Sequence, residues 1–422
     1  MERGSPNDVL IKINTMLEEA QPLLPEECCI YKVPHEIRKL NEEAYTPKIV
    51  SIGPFHHRDL KLQKMEDQKR LYCREFIERS EIKNLLESFV SCVQKLEPKI
   101  RGCYSDDIKL TNEEHVMVIL VDCCFILELL IRYHSRDGIL LPPRLGNFMH
   151  YDLLLLENQV PFFVLEKLYS LAFPGHNSLP SLLDLTLRYI VPDYIFSSDK
   201  DDDSSLLNVG KIAHFTDLSR KLLLTSSRLF QPGYSRQGEV THLYCATELK
   251  EAGVKFEVKN NSSCLLDLEL SGHTLKIPFI RVDDSTEVIL RNLLVFEQCH
   301  CIDESYLADY VTVFDLLINT GKDVDLLIKK EIIDNWLSDS NAVARMFNGI
   351  GVNIVHNDFN VHYSRILKDL NAFCAHPWKK RVATLRRDYC NTPWKTVASI
   401  AGIFLLILTV IQTVFSILQV AH

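Results

Sequence analysis

The sequence carries no surplus of positive charge: 47 lysines and arginines face 56 aspartates and glutamates, a formal net charge of −9. A body of that sign lacks the basic face on which nucleic-acid binding rests, so no nucleic-acid partner is expected. No internal repeat occurs. Nor is there an apolar run at the start, where residues 1–27 read MERGSPNDVLIKINTMLEEAQPLLPEE, so a cleaved secretory leader is not expected. Collagen-like periodicity and the many spans of a polytopic membrane protein are also missing. What remains is 46% hydrophobic and 24% charged over 422 residues, the proportions of a folded globular chain long enough for two or three lobes.

The common catalytic signatures are absent as well. The chain has no G-x-S-x-G elbow, no G-x-x-x-x-G-K-[ST] phosphate loop, no H-E-x-x-H and no G-x-G-x-x-G. Its thirteen cysteines are an odd number in a long chain and read as buried free thiols. The pairs Cys28/Cys29 and Cys123/Cys124 and the triplet Cys299-His300-Cys301 lack the C-x2-C spacing that lets two thiolates converge on zinc. The acidic run from Ser197 to Ser205 lacks the glycine and closing glutamate of a calcium loop. No metal or other cofactor is therefore expected.

Most of the chain shows helical periodicity, which predicts a mainly α (α+β) body. Residues 1–29 form an extension and residues 30–173 a first helical lobe. The proline-, serine- and aspartate-rich stretch 174–210 reads as a loop, and residues 211–391 as a second helical lobe. Val116 to Ile131 is too uniformly apolar for a surface helix and is expected at the centre of the first lobe. Alternation at Val254, Phe256 and Val258, then at Leu266, Leu268 and Leu270, then at Leu275, Ile277 and Phe279, predicts a small antiparallel β meander within 254–281. A helix should begin near Ser285, with Glu287 and Arg291 at ion-pair spacing.

The chain's end differs from its body. Lys379, Lys380, Arg381, Arg386, Arg387 and Lys395 stand against Asp388 alone, and from Thr396 to Ala421 there is no charge. Residues 392–421 read as a C-terminal transmembrane anchor; Ala398 to Ala421 would rise about 36 Å as a helix at ~1.5 Å per residue, against a hydrocarbon layer of ~30 Å. The alternative is a buried core helix. Arg386, Arg387, Trp394 and Lys395 would flank the membrane, and their charge places the body in the cytosol, a single-pass tail anchor in the plasma membrane or an endomembrane. In that topology the sequons at Asn260-Asn261-Ser262-Ser263 would stay unglycosylated. Ser399, Gly402, Thr409, Gln412, Thr413, Ser416 and Gln419 share one side of the helix, a small and polar stripe suited to homo- or hetero-association with another span. The competing reading places these residues at the headgroups.

Eight polar residues sit in apolar company: Asp122; Glu157, Asn158 and Gln159 within LLLLENQVPFF; and Arg291, Asn292, Glu297 and Gln298 within one apolar helix. A carboxylate there could have a raised pKa and serve as an acid or base. The structural reading is that these side chains satisfy backbone groups and one another between packed elements. Sealed carboxylates would favour a membrane-tethered protein that recognises a protein partner; carboxylates lining an open cleft would favour an enzyme using Asp122, Glu157 or Glu297.

The same residues carry a resemblance. Tyr31-Lys32-Val33-Pro34, Asn41, Ala44-Tyr45, Pro47 and Val50-Ser51-Ile52-Gly53-Pro54-Phe55-His56 are followed by Asp122-Cys123-Cys124-Phe125-Ile126-Leu127-Glu128. Then come Asp152 with Leu153 to Leu156, Glu157-Asn158-Gln159-Val160-Pro161-Phe162, Glu248-Leu249 and Ala252-Gly253-Val254-Lys255-Phe256. Arg291-Asn292-Leu293, Phe296-Glu297-Gln298-Cys299 and Pro393-Trp394 complete the set. From about Ile30 to the last helix the chain resembles the plant family called domain of unknown function 247, departing from it in small ways at Phe55 and Cys123. The resemblance implies a plant protein ending in one membrane helix, with no catalytic residues to carry over. It also implies kinship to grass members associated with self-incompatibility.

Overall fold

The computed structural model describes residues 6–18, 24–137, 143–175, 179–190, 210–225, 242–260, 264–356, 358–375 and 393–420. The acidic run 197–205, the sequon residues 261–263, and Arg386 and Arg387 lie outside these residues, as do the side chains of Trp394 and Lys395. The chain forms two compact units: residues 1–190 with 211–218, and residues 191–210 with 219–422.

The first unit contains α1 (Pro6–Glu18), α2 (His35–Arg38), α3 (Gln63–Arg79), α4 (Leu85–Gly102), α5 (Asn112–Ser135), α6 (Pro143–Asp152), α7 (Phe162–Ala172), α8 (Leu182–Ile190) and the opening turn of α9 (Phe215–Thr225). At its centre is α5, as its apolar run predicts. Thr111 caps it, accepting from the N–H of Glu114 while Glu114 accepts from that of Thr111, and residues 122–131 are buried without a break. A helix apolar on every side has to be wrapped; α3, α4, α7 and α8 supply the wrapping. Aromatic rings fill the seams, Tyr72 against Phe125 at 5.2 Å and Phe76 against Phe89 at 6.1 Å. The expected loop 174–210 contains α8, because Leu182, Leu185 and Ile190 form a buried stripe at helical spacing and Ser181 caps the turn at Asp184.

The second unit holds the rest of α9, α10 (Ala246–Ala252), β1 (Lys255–Val258), β2 (Glu269–Ser271), β3 (Thr274–Ile277), β4 (Ile280–Val282), α11 (Asp284–His300), α12 (Tyr306–Leu317), α13 (Gly321–Ile328), β5 (Ile333–Asn335), α14 (Ser340–Ile350), α15 (Val361–Ala375) and α16 (Pro393–Val420). The antiparallel meander is corrected. The sheet order is β1-β3-β2, with β1 parallel to β3 and only β2 antiparallel to it. Leu266 and Leu268 are buried ahead of β2, and β3, with Leu275 and Ile277 buried, takes the centre. The Gly272 turn, at φ +62°, then folds β2 back on β3. A second parallel pair, β4 with β5, joins segments 53 residues apart, and β5, Ile333-Asp334-Asn335, has no alternation in the sequence to announce it.

The C-terminal anchor of residues 392–421 corresponds to the helix α16, Pro393–Val420. Among the described residues no helix is long and apolar enough to cross a membrane. Of the stripe, Gly402, Gln412, Ser416 and Gln419 are exposed, whereas the hydroxyls of Thr409 and Thr413 donate back to Leu405 and Thr409 carbonyls at 2.8 and 2.7 Å.

Candidate functional site

In the first unit the polar motifs converge on one irregular segment, residues 48–56, whose backbone has no strand partner to satisfy it. Side chains supply what a sheet would have supplied. Asp152 accepts from the N–H groups of Lys48, Ile49 and Val50 at 2.8, 2.6 and 2.9 Å. Asn158 accepts from Ile52 N–H at 2.7 Å and donates to the Val50 and Asp152 carbonyls at 3.0 and 2.9 Å. Asp122 accepts from Gly53 N–H at 2.8 Å. Gly53 sits at φ +72°, and a Cβ there would stand 2.4 Å from the Gln159 carbonyl oxygen, so only glycine fits.

Around this segment the remaining charges are matched. Lys69, fully buried on α3, donates to Asp122 at 2.5 Å and to the Ser51 carbonyl at 2.8 Å, and lies 2.7 Å from Glu66. Burial works against its ammonium, but Asp122 and Glu66 overcome that and hold its pKa above the ordinary lysine value. Burial pushes the carboxyl of Asp122 up, with Lys69 and the Gly53 N–H pulling the other way. Glu157 accepts from Val33 N–H at 2.7 Å and pairs with Arg38 at 2.6 Å, and His56 Nε2 lies 3.1 Å from its carboxylate. Burial opposes its ionisation, yet His56, Arg38 and Val33 hold its pKa below the usual value. Gln159 donates to the Leu153 and Leu155 carbonyls at 2.7 and 2.8 Å and accepts from Phe215 N–H at 3.0 Å. Burial lifts Asp152 to about 6.

Above this lattice, α3, α4 and α5 leave a cleft of about 620 Å³. Leu86, Val90, Met117 and Val121 give it apolar walls, and Glu66 and Asp122 are among its lining residues. The Asp122 side chain is nevertheless fully buried where it meets the cleft, tied to Lys69 and Gly53.

In the second unit, Glu297 of α11 is fully buried against the start of α12. It accepts from the N–H groups of Leu307 and Ala308 at 3.0 and 3.1 Å and from Arg220 Nε at 3.0 Å, and burial raises its pKa to about 7 against those three. Arg291 pairs with Glu287 at 2.8 Å, as their spacing predicts, and donates to the Gly349 carbonyl at 3.1 Å. Asn292 donates to the Val288 carbonyl, and Gln298 accepts from Val355 N–H at 3.0 Å. The structure thus gathers Asp122, Glu157, Asn158 and Gln159 in the first unit and Arg291, Asn292, Glu297 and Gln298 along α11 of the second. Among the described residues every cysteine is a free thiol, and no group of three or more side chains could hold a metal ion.

Sequence reasoning passed over Lys69, Arg38 and Arg220, the cations that match these carboxylates. Lys69 carried a legible signal: it stands four residues after Met65 and three before Tyr72, on the apolar stripe of α3, where an unpaired lysine could not remain.

The chain is similar to two curated relatives from Arabidopsis thaliana. The UPF0481 protein At3g47200 is 29% identical over 93% of this chain and 87% of its own, and the putative UPF0481 protein At3g02645 is 23% identical over 91% and 89%. No solved structure matches the chain. Residues 30–408, which include both polar lattices, match the family described as plant protein of unknown function, and the chain belongs to that family, DUF247.

Proposed function

We propose that the protein is a membrane-tethered recognition protein, its two units presented to a protein partner and its polar motifs spent on holding the fold. One observation carries the tether: along α16 the described large apolar side chains from Val397 to Val414 are 43–68% exposed, with none of the described residues burying them. Apolar surface on that scale calls for a lipid or protein cover, and the uncharged sequence continues on both sides, from Thr396 to Ala421. The exposed stripe of Gly402, Gln412, Ser416 and Gln419 suits pairing with a second apolar helix in the bilayer.

Recognition is preferred to catalysis because of where the carboxylates spend their lone pairs. Asp122, Glu157 and Glu297 each accept from a backbone N–H and a cation inside the protein. The test is fractionation of plant cells expressing the full chain and a chain ending at Asn391, each tagged before Met1, with protease protection of the tag. Pelleting of the full chain with its tag accessible, and release of the shortened chain, is the expected result. Equal distribution of both chains would remove the tether, and a protected tag would reverse the topology.

A further inference from the structure

We propose that the cleft between α3, α4 and α5 is the docking groove of the chain's own N-terminal helix. The two surfaces belong to the same unit, and each presents apolar side chains to solvent. On the groove side, Leu86 and Val90 are one turn apart on α4, Met117 and Val121 one turn apart on α5, and Leu86 and Met117 are 49% and 60% exposed. On the helix side, Val9, Leu10, Ile13, Met16 and Leu17 are 47–69% exposed. At 100° per residue these five fall within an arc of about 120°, an apolar stripe able to lie in a groove, while Ile11, 62% exposed, stands about 100° outside it. Lys12 stands about 40° beyond that arc beside Met16, where the acidic rim residue Glu113 would meet it.

The chain can reach. Pro25 lies against the C-terminal end of α4, 3.8 Å from the place a Gly102 Cβ would occupy. Back along α4 from Gly102, Gln94, a lining residue of the groove, is about 12 Å away at ~1.5 Å per residue, and Leu86 about 24 Å. The seven residues from Glu18 to Pro25 span up to about 23 Å at ~3.3 Å each. With its end near Gln94, α1, about 20 Å long, would cover the groove past Leu86. A tether so short sets a millimolar effective concentration, which favours the helix of the same chain over that of a second copy. The inference concerns the first unit alone and stands or falls without α16. A partner helix would have to displace α1 to use the groove.

The test places a photoreactive benzoylphenylalanine at Ile13 of the full chain in lipid vesicles and maps its adducts by mass spectrometry. Expected are adducts within one chain, in residues 86–94 or 113–121. Met117→Lys with Val90→Lys should cut their yield at least ten-fold. If that variant fails to fold by circular dichroism, Leu10→Ser with Met16→Ser, which leaves the body untouched, should give the same loss. Adducts to a second copy, to lipid or to any other segment would overturn the proposal, as would a yield that neither pair of substitutions changes.

Discussion

At the scale of single residues, backbone geometry and burial determine what can be changed. Gly53→Ala meets two obstacles: a left-handed backbone, worth about 1–2 kcal/mol to a residue with a Cβ, and the Gln159 carbonyl 2.4 Å from that Cβ. At Gly253, φ is +105° with nothing within 4 Å, so Gly253→Ala meets only the first. Urea denaturation should show Gly53→Ala losing at least ~3 kcal/mol and Gly253→Ala no more than about 2; equal losses would mean the carbonyl moves aside freely. The buried acids add a pH dependence whose sign follows from linkage. The folded pKa of Glu297 is about 7, above its value of 4.5 in the open chain. Between those values the folded state holds a proton that the unfolded state has released. The contribution is therefore fully present below about 4.5 and is lost as the pH rises through 7, on the order of 3 kcal/mol. Asp152 acts in the same direction between 3.8 and about 6; Glu157, held below its ordinary value, acts oppositely, losing stability as the pH falls below it. Unfolding free energies at pH 5 to 8 should decline more steeply in the native chain than in Glu297→Gln, whatever the variant's overall stability. Parallel curves would refute the assignment.

At the scale of elements, Lys69 joins α3 to α5. Lys69→Met would leave Asp122 and Glu66 without their cation under a helix roof, and breaking a buried pair by removing one partner costs about 3–5 kcal/mol. Removing Asp122 as well, in Lys69→Met with Asp122→Leu, should cost less than the sum of the single changes. Additivity in a double-mutant cycle would show that the two side chains do not interact. How much of this was legible is itself a matter of elements. Helix α5 was, because an apolar run bounded by Thr111 and charged residues has few other places to go. The pair Glu287–Arg291 was, because i and i+4 are neighbours on any helix. The sheet was not: alternation marks a strand but not its neighbour, and parallel pairing of β1 with β3 and of β4 with β5 depends on crossovers that local pattern does not encode. Of the site, the acids and amides showed themselves as polar residues in apolar runs. Their partners at Lys48, Ile49, Val50, Ile52 and Gly53 are backbone N–H groups, which every sequence has and none displays.

At the scale of the whole molecule, the first unit is not continuous in sequence, and residues 211–218 return to it after an intervening stretch. Their contribution is specific. Phe162 N–H donates to the Ala213 carbonyl at 2.8 Å, Phe215 N–H to Gln159 at 3.0 Å, the Thr216 hydroxyl to the Leu154 carbonyl at 3.1 Å, and His214 contacts the Cys29 carbonyl at 2.9 Å. His214 and Thr216 are fully buried. A chain ending at Ile190 would keep every helix that wraps α5, yet it would leave Gln159 Oε1 and the Leu154 and Cys29 carbonyls without their partners. Each unsatisfied buried group costs roughly 1–3 kcal/mol. A fragment of residues 1–225 should therefore unfold cooperatively in urea, and a fragment of residues 1–190 should lose at least half that stability or expose enough apolar surface to bind a hydrophobic dye. Identical midpoints for the two would mean that the returning segment only rests on the first unit. A lower midpoint for the shorter fragment would make residues 211–218 part of its fold, with the sequence between Ile190 and Lys211 an insertion into a body that needs both sides of it.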